Sequence, residues 1–217
     1  MKPRLSPFVA ALITFSALAT VVSLPVAAAD EPAAAEKPAA SKAKAKRPTE
    51  EEAMKAWQAY ITPGEAHKRL ATSEGTWRTK VKVWMDPSKP PDESEGTVVA
   101  KMALGGRFLE ERYEGTMMGQ PFSGIGYSGY DNYTKKYVSS WIDTGGTGIM
   151  TMTGAFDKAG KVMTSFGTMD DPIARKMVKV KAVTTFVDDD THRFEMWNTG
   201  PGGKMVKSME MVYTRQK

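Results

Sequence analysis

Gly75-Thr76-Trp77-Arg78-Thr79-Lys80-Val81-Lys82-Val83-Trp84-Met85 decides the fold. Trp77, Thr79, Val81, Val83 and Met85 form a mostly apolar face, while Arg78, Lys80 and Lys82 occupy the other. A period of two belongs to a strand with one buried side. The alternation returns in Val98, Ala100, Met102, Leu104 and again in Met205, Lys207, Met209, Met211, Tyr213. Between these runs the pattern predicts strands near 107–117, 122–130, 136–142, 147–156, 162–169, 177–187 and 192–198.

Turn chemistry separates them. Asp86-Pro87 with Pro90-Pro91 marks a longer loop. Gly105-Gly106, Gly119, Asp131-Asn132, Gly145-Gly146, Asp157 to Gly160, Asp188 to Asp190 and Gly200 to Gly203 mark the shorter ones. Short loops make neighbouring strands antiparallel and sequential. About ten such strands strain an open sheet, and closure removes both edges. The expectation is an all-β protein, an antiparallel up-and-down barrel over about 75–215, with a β-sandwich as the other architecture.

Upstream, the pattern is helical. Ala53, Ala56, Trp57 and Tyr60 share one stripe, and Glu50, Glu51 and Glu52 lie in the first turn, where the helix dipole favours them. A second short helix follows. Thr62 is placed to cap it, with Pro63 at its first position and Glu65 completing a capping box. It runs to about Ala71 and buries Ala66 and Leu70. One or two short helices over about 49–72 are thus expected before the barrel, in a single domain spanning 49–217.

The first 29 residues read as a cleaved export signal. Lys2 and Arg4 give a positive start, Phe8 to Leu24 is apolar, and Pro25 precedes Ala27-Ala28-Ala29. An uncleaved anchor is the alternative, since those 17 apolar residues sit at the lower limit of about 17 for a spanning helix. No later stretch is apolar enough to span a bilayer as a helix. A periplasmic or secreted destination follows. Residues 30–48 are Ala-, Pro- and Lys-rich, which suits a disordered linker. Its Lys42, Lys44, Lys46 and Arg47 can rest weakly on an anionic envelope surface, or simply be solvated.

Beyond that linker stand 23 Lys and Arg against 22 Asp and Glu, a balance that gives no support to nucleic-acid binding. Cysteine is absent, which excludes disulfides, thiol catalysis, Cys–zinc sites and covalent c-type haem. There is no Gly-x-Ser-x-Gly elbow, His-Glu-x-x-His pair or phosphate loop, so no catalytic residue is assigned. Asp143 beside Trp141, and Glu195 near Arg193, are the carboxylates that could do acid–base work if buried. His192 has no second metal ligand spaced nearby, so no metal and no cofactor is expected.

Two resemblances attach to quoted residues. Gly75-x-Trp77 on the first strand, with Arg215 on the last, resembles the calycin arrangement of lipocalins, where a Trp closes the barrel base and an Arg packs across it. Six blocks resemble the bacterial family known as domain of unknown function 1579. They are Thr62-Pro63-Gly64-Glu65-Ala66-His67, Gly75-Thr76-Trp77, Leu104-Gly105-Gly106-Arg107-Phe108-Leu109, Pro121-Phe122-x-Gly124, Gly129-Tyr130-Asp131-Asn132 and Met209-Glu210-x-x-Tyr213-Thr214-Arg215. The resemblance implies a calycin-like barrel and brings no established activity.

A barrel of this size can hold a small, mostly apolar ligand. On the third strand, Arg107, Leu109, Glu111, Tyr113, Gly115 and Met117 share the face taken as interior, which makes Arg107 and Glu111 candidate polar anchors. Tyr113, Phe122, Tyr127 and Trp141 are candidate ligand contacts. Trp77 and Arg215 are the expected closure pair. Three glycines, Gly124, Gly126 and Gly129, interrupt the fourth strand, marking either barrel curvature or a gap left for a ligand. A barrel filled by its own side chains, with a structural or envelope role, is the competing reading.

Overall fold

The computed structural model describes residues 47–172 and 175–217. The expected signal and almost all of the expected linker lie outside these residues. Ten strands form one closed antiparallel barrel in sequential order. They are β1 Gly75–Val83, β2 Asp92–Ala103, β3 Phe108–Met117, β4 Gln120–Asp131, β5 Lys136–Asp143, β6 Met150–Phe156, β7 Val162–Asp171, β8 Lys176–Phe186, β9 Thr191–Thr199 and β10 Met205–Arg215. Closure is between β1 and β10, with Trp77 opposite Arg215 and Val83 opposite Met209. The expected barrel is therefore present, and the sandwich is not. Among the described residues no helix is long and apolar enough to cross a membrane.

Period-two patterning sets which side faces in. On β1, Trp77, Thr79 and Val81 are buried while Arg78 and Lys80 are exposed. Register carries that inward face round the wall through Ala100, Glu111, Gly126 and Trp141. The tightest hairpin joins β3 to β4 through Met118 and Gly119, both at positive φ (53° and 73°). Two successive left-handed residues match the twist of the flanking strands. A register shift between Lys207 and Met209 bends β10.

Helix α1, Glu50–Ile61, is capped by Thr49, whose hydroxyl accepts from Glu52 N–H while the Glu52 carboxylate accepts from Thr49 N–H. It buries no residue, and its apolar stripe stays open, with Trp57 59% and Tyr60 49% exposed. Helix α2, Glu65–Ala71, starts two residues later than the Thr62 cap would place it. Thr62 instead ends α1, and the Gly64 N–H donates to His67 Nδ1 at 3.0 Å. His67 and Leu70 are the buried residues of α2, and Ala66 is half-buried. The helix packs on β2, β3 and β4 and stoppers one end of the barrel.

Candidate functional site

At the stoppered end, residues from most of the quoted blocks meet. Arg107 donates from Nη2 to Ile61 O (2.9 Å) and from Nη1 to Leu104 O (3.1 Å). Asn132 Nδ2 donates to the carbonyls of Tyr60 (3.0 Å) and Thr62 (2.8 Å). These bonds satisfy carbonyls that the end of α1 leaves without helical partners. The His67 ring meets Tyr130 edge-on, and Tyr137 reaches Ala66 O. Arg215 lies over the Trp77 ring, its guanidinium carbon 4.1 Å from the centroid, and donates to the carbonyls of Thr72, Glu74 and Asp189. Arg107 therefore serves the helix junction and is no anchor inside the barrel.

His192 belongs to the same floor. Its ring stacks on Tyr213 (4.2 Å between centroids) and meets Trp77 edge-on (4.5 Å). Burial, with Arg215 and Arg69 nearby, pushes its pKa down to about 4, so it is a neutral packed ring at physiological pH. Among the described residues no group of three or more His, Asp or Glu is arranged to hold a metal ion.

Above the floor the interior holds two packed clusters, and Met152, Val180 and Ala182 on β6 and β8 form one of them. Along β1 to β3 the interior is packed by Trp77, Val81, Val98, Ala100, Leu109 and Tyr113, joined by Met211. Along β4 to β10, inward-facing Phe122, Ser128, Ser139, Trp141, Met150, Ser165, Phe194, Met196, Met209 and Tyr213 all keep accessible surface. Their register points them inside a closed wall. Most of them also pack against the two buried clusters of the interior.

The glycines explain how the interior rings sit. A side chain at Gly124 would overlap the six-membered ring of Trp141, and one at Gly126 would touch it at 3.0 Å. Gly96 and Gly115 similarly accommodate the Tyr113 phenol. Each aromatic ring lies against bare backbone. Room left by these glycines is thus occupied by the protein's own rings, which keeps those rings close to the wall.

Glu111 stands on the inward face between Ala100 on β2 and Gly126 on β4. Its carboxyl has no hydrogen bond or ion pair, and burial alone pushes its pKa up to about 7. Tyr113 is two residues along the same face, and the Trp141 ring covers the backbone at Gly126, its cross-strand neighbour. The Tyr213 hydroxyl is raised far above its ordinary value by burial, then by the charge of Glu111 and by Tyr113, so all three groups share one region. Thr79 is fully buried there, and no well-formed hydrogen bond satisfies its Oγ1, although the Tyr113 hydroxyl is close. An unsatisfied buried hydroxyl costs about 1–3 kcal/mol.

Of the candidate ligand contacts, Glu111, Tyr113, Phe122 and Trp141 face inward, with Tyr113 and Phe122 in edge-on contact. Tyr127 faces outward: its ring is 40% exposed and its hydroxyl donates to Glu110 at 2.8 Å. Asp143 lies where β5 ends, accepting from Trp141 Nε1 (2.7 Å) and Gly145 N–H (2.8 Å). Glu195 is on the outer wall, paired with Lys207. Glu210 stands opposite Glu195 and shares Lys207 with it, so that carboxylate pair is neutralised on the outer face rather than set in the interior. Sequence reasoning passed over Thr79 and Tyr213 as site residues. The usable signal for Thr79 is a lone hydroxyl on an otherwise apolar alternating face.

The fold is a closed, ten-stranded antiparallel barrel, stoppered at one end, with a small polar cluster above its floor. The chain belongs to the family described as protein of unknown function (DUF1579), whose model matches residues 62–215. No curated protein matches. The crystal structure of Rv2717c from M. tuberculosis is similar at 17% identity and a TM-score of 0.55, covering 72% of this chain and all of that one. That likeness shows the fold. A redesigned β-barrel, b11L5F_LGL (16% identity, TM-score 0.37, 69% of this chain and 96% of that one), is also similar. So is EF1p2_mFAP2b bound to DFHBI (12% identity, TM-score 0.38, 69% and 98%).

Proposed function

We propose that this barrel binds a small, mostly apolar ligand in its interior and does so outside the cytoplasm. The observation that carries the reading is the accessible surface of inward-facing side chains on β4 to β10, beside a carboxyl and a hydroxyl without partners. An apolar lumen with a few polar groups suits one bound organic molecule. Met150, Met196 and Met209 give that wall soft, adaptable side chains. The positive, apolar and small-residue segments at the start of the sequence support export. Native mass spectrometry of protein purified from its own host is the test. A stoichiometric small-molecule adduct is the expected result. Repeated recovery of bare polypeptide that takes up no hydrophobic dye would leave the barrel as a structural body.

A further inference from the structure

Resting on that reading of the interior, we propose that the ligand is a lipophilic organic cation, an ammonium head with an apolar tail, whose head sits at Glu111.

Charge distribution carries the inference. The strand residues Arg78, Lys80, Lys82, Lys101, Arg112, Lys136, Lys179, Lys181, Arg193 and Lys207 fall on the outward register, and Lys176, which has the inward parity, is exposed at the rim where β8 begins. Two cations stand at the floor: Arg215 has Nε, Nη1 and Nη2 all donating to carbonyls, with Asp190 beside it, and Arg69 lies over the Phe156 and Phe186 rings and donates to Thr72 Oγ1 and Gly160 O. Both are thus already engaged by the protein's own groups. The lumen instead offers Glu111, a carboxyl with no partner of its own.

The surroundings select the kind of cation. Tyr113, Trp141 and Tyr213 place three aromatic rings in the region of the Glu111 carboxyl. Aromatic faces attract an alkylated ammonium, most strongly when water is excluded. A compact, strongly hydrated metal ion wants several oxygen ligands, and one carboxylate does not supply them. Thr79 Oγ1, buried beside the Tyr113 hydroxyl, adds an oxygen to the same region. Glu111 is the fourth residue of β3, near the floor, while Phe122, Met150 and Met209 lie farther up towards the mouth. Head at the bottom and tail above is the arrangement these positions favour.

The test compares three probes with the same tail on the full chain by isothermal titration calorimetry, each below its micelle concentration: dodecyltrimethylammonium, dodecan-1-ol and dodecanoate. The cation is expected to bind at least about tenfold more tightly than either of the others, with Glu111→Gln abolishing that preference. In the unsubstituted protein, cation affinity should rise between pH 5.5 and 8 as Glu111 ionises. Tyr113 and Tyr213, the titratable groups facing it, stay neutral across that range, as does His192 on the floor. Equal or tighter binding of dodecanol or dodecanoate overturns the cation assignment and leaves interior binding standing. So does a preference that survives Glu111→Gln, or an affinity flat in pH. Failure of all three probes overturns the assignment, and interior binding then stands or falls by the adduct measurement above.

Discussion

Arg215 and Trp77 are cross-strand partners at the β1–β10 seam, and the guanidinium of one covers the indole of the other at 4.1 Å. The same guanidinium ties together Thr72, Glu74 and Asp189 through their carbonyls. Trp77 in turn donates from Nε1 to Ser73 O at 3.0 Å. One side chain thus fastens the α2–β1 connection, the β8–β9 turn and the barrel seam together. Arg215→Ala should cost about 2–4 kcal/mol, from a desolvated cation–π contact and several hydrogen bonds to a charged donor. Arg215→Lys should recover only part of this, because an ammonium cannot span the same carbonyls. Urea unfolding measures both, and a loss below about 1 kcal/mol for Ala would refute the role.

Gly124 and Trp141 make a second exacting contact. Gly124→Ala puts a methyl into the space of the indole, which must tilt off the wall. A cost of about 1–3 kcal/mol is expected from overpacking, with a shifted near-ultraviolet signal from the displaced Trp. Gly106→Ala is a useful contrast. Its position has open space around it, so any cost there comes from a left-handed backbone at φ 80°.

Glu111 and His192 oppose each other in acid. A carboxyl raised from 4.5 to about 7 stabilises the fold at low pH, and that contribution disappears as pH climbs through 7. An imidazole lowered from 6.5 to about 4 does the reverse, its contribution disappearing as pH falls through 4. Each difference corresponds to about 3 kcal/mol, and between about pH 4.5 and 6.5 they cancel. Glu111→Gln should therefore be more stable than the parent at pH 8 and acquire a steep loss on acidification. His192→Phe should show the opposite slope. Thermal unfolding across pH 4–8 reads both; parallel profiles for the two variants would contradict the assignment.

Removing everything up to Gln58 should leave the barrel standing, because α1 buries no residue. The carbonyls that Arg107 and Asn132 use at Tyr60, Ile61 and Thr62 remain in the shortened chain. A change below about 1 kcal/mol is expected. A larger loss would mean that the removed turns of α1, with the exposed Trp57, contribute to the fold.

The strand alternation exposed the architecture because inward and outward residues differ so clearly on β1, with Val81 between Lys80 and Lys82. On β4 that signal fails. Its inward face is Phe122, Gly124, Gly126 and Ser128, while Tyr127 and Ile125 point out. Hydropathy favours the wrong side there, and the clustering of aromatics that groups Tyr127 with the ligand contacts carries no register to correct it. Arg107 misleads for another reason. It precedes the first residue of β3, so alternation does not govern it, and its donors turn back to the helix junction. Glu111 was legible as an inward residue because it continues the face set by Leu109 and Tyr113, whereas Trp141 was picked out only as one of a cluster of aromatics. The missing partner of Thr79 was not legible, since hydrogen bonding depends on what the opposite wall supplies.

Under the proposed binding, the stopper formed by α2 directs a guest to the opposite rim, where the Trp84-to-Pro91 stretch lies, so uptake and discharge would share a route. A graft that stiffened that stretch would then slow arrival and escape together.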